Sequence, residues 1–421
     1  MTRLIPFLCA AVLVHIGHAS ATTINIVKEF DGTNGSNPRA GLTRDFAGHL
    51  YGTTMSGGTK GAGTVFRLNS PQAPSTVWSI TTLFSFPDFA STGIMGPQGG
   101  RLFRDTSGRL YGATYGVDCN PSGNHGTAFR VTPPGAAGLG WTTEFTGWFR
   151  GTDGSTPSGG LIADGAGDLY GTTVCGGLYG YGTAYKMTRP TTAAGKWGRT
   201  TIHDFDTTQG RNPRGAGLVG DGFGNVYGTT AYGGIYGNGT VFRLSPPTIS
   251  GGKWTASTLV DFAGSDGALP AGALIRDRSG IFYGTTWSGG TSGGGTVFSL
   301  TPPAAGSTTW TLLTLANFDM ATGARPLGAL ALGPTGDLYG AARIGGSCST
   351  SQQASGCGVI FRLTKSAGSP TGWSKSNLVV FDGTNGAWPN GDLLVDGAGK
   401  LYGTTFYGGA SDRGVVFEIT P

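Results

Sequence analysis

Phe282-Tyr283-Gly284-Thr285-Thr286 and, a little farther on, Gly295-Thr296-Val297-Phe298-Ser299-Leu300 are two short runs separated by a glycine-rich stretch. Aromatic and β-branched residues suit strands, and glycine between them suits a tight turn. The same pair of runs recurs along the chain. A Tyr-Gly dipeptide stands at Tyr51, Tyr111, Tyr170, Tyr227, Tyr283, Tyr339 and Tyr402, at intervals of 60, 59, 57, 56, 56 and 63 residues. Seven copies of one repeat of roughly 57 residues point to a repeat architecture.

Other residues keep fixed distances from that tyrosine. A leucine lies nine residues before it in every copy, at Leu42, Leu102, Leu161, Leu218, Leu274, Leu330 and Leu393. An aromatic lies fifteen residues after it in five copies, at Phe66, Tyr185, Phe242, Phe298 and Phe417. Phe129 and Phe361 stand three and seven residues farther on, in copies whose lengthened stretch contains cysteines. A tryptophan followed eight residues later by phenylalanine completes the unit, as in Trp78/Phe86 and Trp310/Phe318. Constant spacing within elements and variable spacing between them separates strands from loops.

Each copy therefore reads as four strands. Strand a is the small-residue-plus-leucine stretch, such as Gly272-Ala273-Leu274-Ile275; strand b is the Tyr-Gly run, strand c the Gly-Thr-Val-Phe run, and strand d spans Trp to Phe. An Asp-x-x-Gly turn, such as Asp277 to Gly280, joins a to b. No segment shows a sustained helical period, so essentially no helix is expected. Four strands copied seven times predict an all-β, seven-bladed β-propeller of antiparallel blades. Ile24 to Phe30 matches strand d and has no repeat before it, while the last copy stops after strand c. The N-terminal strand should therefore complete the last blade and close the ring.

Composition sets the compartment and excludes some functions. Glycine accounts for 80 of 421 residues and charged residues for 12%, but 22 Phe, 14 Tyr and 9 Trp can fill a large core. The net charge of +5 is small and comes without long basic runs, so no nucleic-acid partner is expected. Arg3, the apolar run Leu4 to Val14 and Ala19-Ser20-Ala21 form a signal peptide over residues 1–21, with cleavage after Ala21. Residues 22–421 are then one repeat domain, secreted or periplasmic, monomeric and without a membrane span. Export permits disulfides among Cys119, Cys175, Cys348 and Cys357. Cys348 and Cys357 flank one insertion, and Cys119 and Cys175 occupy similar places in successive copies; four cysteines allow three pairings.

The order of proline, small residue and leucine, then Asp-x-x-Gly-x-Leu-Tyr, resembles NHL-type propeller repeats. The fuller form over residues 48–68, 224–244 and 280–300 resembles the Gloeo/Verruco (GloVer) tandem repeat of secreted bacterial proteins. That resemblance implies an exported bacterial propeller-like protein and no particular activity. Family members often end in a surface anchor; no sorting motif, hydrophobic tail or basic end precedes Pro421, so a soluble exported protein is expected.

No motif selects a catalytic group, a cofactor or a metal. The glycine strings lead into strands rather than helix N-termini, and there is no Gly-x-Ser-x-Gly elbow. His49, His125 and His203 fall in different repeats and different elements, and no metal-ligand spacing accompanies the cysteines. What differs between copies is more telling. Just after Gly-Thr-Thr stand Tyr115, Tyr232, Trp287, Arg343, Phe406 and Tyr407, with Trp388 on a d–a loop. Loops b–c and d–a should share one face, where these side chains either plug the channel mouth or form an exposed surface for a glycan or protein partner. The expectation is an exported, non-enzymatic binding or interaction protein. The alternative is an extracellular carbohydrate-active hydrolase or lyase with paired carboxylates at the channel mouth; Asp153, Asp266 and Asp382 are its candidates.

Overall fold

The Tyr-Gly-Thr-Thr run is buried along its length because it lies inside a blade, hydrogen-bonded on both edges. In the computed structural model, which describes residues 22–88, 95–116, 119, 125–136, 138–192, 195–215, 217–249, 251–348 and 355–421, seven antiparallel sheets repeat this arrangement. The expected signal peptide, residues 1–21, lies outside the described residues. In blade 1 the order is Ser36–Pro38, Leu50–Ser56, Thr64–Asn69, Ser79–Ser85, which are strands a to d. Among the described residues there is no helix, and hence none long and apolar enough to cross a membrane.

The chain is an all-β seven-bladed propeller whose ring closes as the sequence predicts. Thr23–Glu29 pairs antiparallel with Val415–Thr420, from Thr23 opposite Thr420 to Glu29 opposite Val415. The irregularity between Ile26 and Lys28 falls at the same register as that opposite Val65 and Phe66 in blade 1. The N-terminal segment thus reproduces the bulge of an internal strand d.

The core lies between blades, in seven clusters. The phenylalanine ending strand d of one blade meets the strand-c aromatic of the next: Phe86–Phe129 at 5.2 Å, Phe205–Phe242 at 4.9 Å and Phe318–Phe361 at 4.8 Å between ring centroids. At the seam Phe30 and Phe66 sit 5.2 Å apart. Each tryptophan before strand d packs on the Tyr-Gly tyrosine of the preceding blade, as Trp141 does on Tyr51 and Trp78 on Tyr402. Tyr339 has no such tryptophan, because Thr22 stands at that register in the N-terminal segment.

The glycine of Tyr-Gly makes this packing fit. A Cβ on Gly284 would lie 2.5 Å from the Phe298 ring and 2.8 Å from Leu274, and Gly228 and Gly403 face the same pair of partners in their blades. The tyrosine hydroxyl donates to the aspartate of the Asp-x-x-Gly turn, at 3.0 Å from Tyr283 to Asp277 and 2.9 Å from Tyr170 to Asp164. Blade 6 has Gly333 in place of that aspartate.

Strand a departs from expectation. The stretch read as one strand at Gly272–Ile275 is split: Ala268–Pro270 and Ile275–Arg276 both pair with Phe282–Ser288, and residues 271–274 leave the ladder. The departure carries the chain to the propeller axis, where blades nearly touch. A Cβ on Gly272 would lie 2.6 Å from the Gly328 carbonyl of the next blade; one on Gly391 would lie 2.7 Å from that of Ala40. Small residues stand at this crowded position, Gly272, Gly328 and Gly391 in three blades and Ala40 in the first.

Candidate functional site

A proline recurs at one position in all seven blades and ends the inner half of strand a in five of them, at Pro38, Pro157, Pro270, Pro326 and Pro389; in six blades the residue before it has unusual backbone geometry. Asn37, Thr156, Asn212, Leu269, Arg325 and Trp388 have φ of 55°, 62°, 54°, 56°, 60° and 56°; the second blade has Gly96 there. Left-handed backbone at a non-glycine residue costs about 1–3 kcal/mol and persists only where its surroundings hold it. Here the same N–H donates to the preceding blade just before strand c: Asn37 to the Arg413 carbonyl at 2.8 Å, Leu269 to Asn238 at 2.9 Å, Trp388 to Cys357 at 2.8 Å.

In all seven blades, the kinked six and the second alike, the residue after the proline stands at the axis. Arg39, Gln98, Ser158, Arg214, Ala271, Leu327 and Asn390, one per blade, all line a cavity of about 460 Å³. Sequence reading missed this set. The signal was present, since the position differs in every blade but two while proline precedes it in all seven.

The structure brings four of the seven predicted residues into the cavity wall: Tyr115, Tyr232, Trp287 and Arg343. Phe406, Tyr407 and Trp388 form an aromatic cluster beside it. Tyr407 lies 4.7 Å from Phe406 and 5.2 Å from Trp388, and the Arg343 guanidinium sits 4.4 Å from the Trp388 ring centroid. All seven are half-buried rather than exposed; the b–c aromatics that do project into solvent are Tyr179 and Tyr236.

The cavity is cationic. Among the described residues Arg39, Arg214 and Arg343 line it with a single carboxylate, Asp392, whose Oδ1 accepts the Ala329 N–H at 2.7 Å. Arg325 stacks over Trp287 at 5.2 Å and Arg211 over Tyr232 at 5.4 Å. Burial and the neighbouring Arg214 hold the Arg39 guanidinium below its ordinary pKa. Burial, Arg39 and Arg325 do the same at Arg343. Arginine stays charged near neutral pH despite such shifts. Arg343 Nε, Trp388 Nε1 and Asn390 Oδ1 are buried without a hydrogen-bond partner, and Asn390 is 6% exposed.

The candidate acids do not converge. Asp153 Oδ1 accepts the Arg150 N–H at 2.8 Å and its other oxygen pairs with Arg199; Asp266 accepts from Ala263 N–H at 2.9 Å, and Asp382 from Thr384 and Asn385 N–H at 2.8 and 3.0 Å. These carboxylates cap their own d–a turns and none lines the cavity. The histidines are equally dispersed: His125 Nδ1 lies 3.1 Å from Ser155 Oγ, His49 Nδ1 accepts Ser70 N–H at 3.0 Å, and His203 packs on Phe205. Among the described residues no three of His, Cys, Asp and Glu are grouped to hold a metal. The cysteines pair as Cys119–Cys175, joining the second and third blades, and Cys348–Cys357, closing one insertion. Two disulfides fit an oxidising compartment.

The Gloeobacter/Verrucomicrobia repeat matches residues 13–193, 73–278, 118–351 and 253–421, which together span nearly the whole chain. The chain belongs to the Gloeobacter/Verrucomicrobia repeat family. No curated protein matches this family member. Among solved structures, a luciferin-regenerating enzyme is similar at 12% identity and a TM-score of 0.43, over 76% of this chain and 88% of its own. A protein provisionally assigned as a gluconolactonase is similar at 12% and 0.41, over 95% and 92%. A Bacteroides uniformis protein provisionally assigned as a 6-phosphogluconolactonase is similar at 14% and 0.49, over 87% and 89%. Such distant likenesses assign no activity to this repeat protein.

Proposed function

We propose that this repeat-family member is an exported binding protein, without catalysis of its own, that takes a glycan into the axial cavity and its aromatic rim. The observation that carries the reading is the mixture of groups around one cavity. Tyr115, Tyr232 and Trp287 offer ring faces, and Gln98, Ser158 and Asn390 offer hydrogen-bonding side chains among them. Sugars present apolar ring faces and polar rims, and they call for this combination. The volume of about 460 Å³ falls within the range of about 300–1,000 Å³ usual for small-ligand sites. Glycoside hydrolysis by two carboxylates would need a second acid about 5–10 Å from the first; among the described residues Asp392 is the only acid lining this cavity.

The test is a glycan array probed with the mature protein and with Trp287→Ala and Tyr232→Ala. Binding to a restricted set of glycans, weakened about tenfold or more by each change, is expected; tenfold corresponds to about 1.4 kcal/mol. An array with no signal above background, binding indifferent to both changes, or cleavage of the bound glycan would overturn the reading.

A further inference from the structure

From the charges that meet on the axis we infer that the ligand is an acidic saccharide, one bearing a uronate carboxylate or a sulfate ester held by Arg39, Arg214 and Arg343. The inference rests on the glycan reading above and narrows it to one class. Several basic side chains that lie against a blade have an acid: Arg44 with Asp396, Lys186 with Asp168, Arg362 with Asp337, Lys400 with Glu418. The three cavity arginines have none among the described residues. Arg39 reaches only the Gln98 amide oxygen, at 3.4 Å. Asp392, the one carboxylate among the described residues of the wall, already accepts a backbone N–H.

Arg39 and Arg343 are half-buried and Arg214 is exposed at the rim; like charges so gathered repel one another, and the two half-buried ones lose hydration, so the arrangement is costly in the absence of an anion. The depressed basicity of Arg39 and Arg343 has burial and their arginine neighbours as its causes. A planar guanidinium suits carboxylate and sulfate oxygens because it donates through a fixed fork. Trp388, beneath Arg343, and Asn390, in the same cavity wall, add polar atoms that are buried and unpartnered. A simple inorganic anion would satisfy the charges but not the rings of Tyr115, Tyr232 and Trp287. An acidic sugar satisfies both. An acidic peptide is the competing occupant, and it would leave the ring faces without matching flat partners.

Two measurements test this on the mature protein. Calorimetric titration compares a neutral oligosaccharide, its uronate counterpart, a sulfated oligosaccharide and oligoglutamate. An acidic saccharide should bind at least tenfold more tightly than the neutral one, and Arg39→Gln with Arg343→Gln should abolish the difference. Thermal unfolding in sodium sulfate, against sodium chloride of equal ionic strength, reads the anion site without any glycan. Sulfate should raise the melting temperature of the native protein but not of the double variant. The double variant without anion should melt no lower than the native protein, because it is relieved of repulsion. Equal affinity for neutral and acidic sugars would overturn the anionic class while leaving the glycan reading intact. Binding of oligoglutamate alone would overturn the saccharide. Sulfate stabilisation without binding of any sugar would overturn the glycan reading and keep the anion site. No effect of sulfate and no preference for acidic sugars would overturn the inference outright.

Discussion

A single methyl group is enough to probe how the blades fit together. Gly284 faces Phe298 and Leu274 with no room for a Cβ, whereas Gly165, in an Asp-x-x-Gly turn, has nothing within 4 Å. Gly284→Ala should therefore destabilise the protein by about 1–3 kcal/mol, the usual cost of overpacking. Gly165→Ala should stay within about 0.5 kcal/mol, as exposed changes do. Urea unfolding of the two variants checks the contrast, and equal effects would show that the tyrosine-glycine pair is not a packing device. The invariance of that pair was legible in the sequence, and so were Tyr115, Tyr232, Trp287 and Arg343 as residues that differ between copies. Arg39, Arg214 and Asn390 were not found. Their convergence depends on a left-handed residue before each proline, and residues as unlike as Asn37, Leu269 and Trp388 adopt that conformation. Local preference argues against it at each of them; the hydrogen bond from the neighbouring blade imposes it.

At the level of elements, the N-terminal strand is the most informative. It contributes six register pairs to Val415–Thr420 and places Phe30, 1% exposed, against Phe66. A chain shortened to begin at Thr33 loses both. Removal of a buried phenylalanine alone costs about 3–5 kcal/mol, and the uncovered edge of strand c invites pairing with another chain. The shortened protein should melt at a lower temperature and associate, as sedimentation would show; unchanged stability and mass would mean that the seam does not depend on this strand. The closure could be read from sequence because strand d has a tryptophan-to-phenylalanine frame into which Ile24–Phe30 fits. The splitting of strand a could not. Alternation along Gly272–Ile275 is compatible with a continuous ladder, and the break sets Gly272 against Gly328 of the next blade, a neighbour that no local pattern reports.

On the scale of the whole molecule, seven inter-blade clusters share one set of buried tyrosines. Burial pushes the phenol of every Tyr-Gly tyrosine above its ordinary pKa, in Tyr283 to about 12, with the Asp277 carboxylate adding to the effect. Unfolded tyrosine loses its proton near pH 10. Between that pH and the higher folded values the unfolded chain holds fewer protons than the native one, so stability falls as pH rises. The contribution of these tyrosines is fully present below about pH 10 and fades toward pH 12 and beyond. Denaturant titrations should show stability independent of tyrosine ionisation up to about pH 9 and a steep decline above pH 10. Phenolate absorbance from these seven residues should appear together with loss of structure. Gradual ionisation in an intact ring would contradict the interlocked packing.

The proline that recurs in every blade also means that recognition is written in a seven-letter word, one letter per blade: Arg39, Gln98, Ser158, Arg214, Ala271, Leu327, Asn390. The spelling is separable from the page it is printed on. Proline precedes every letter and the backbone bond to the neighbouring blade recurs in six blades, while among the described residues only Ser158 of the seven side chains bonds to the backbone of the next blade, accepting the Gly215 N–H at 3.0 Å. A lineage using this repeat can therefore exchange one letter at a time and keep a folded protein at each step. Its members should share the closed ring and differ in the word, and the chemistry of what each one captures should follow from reading those seven positions in order.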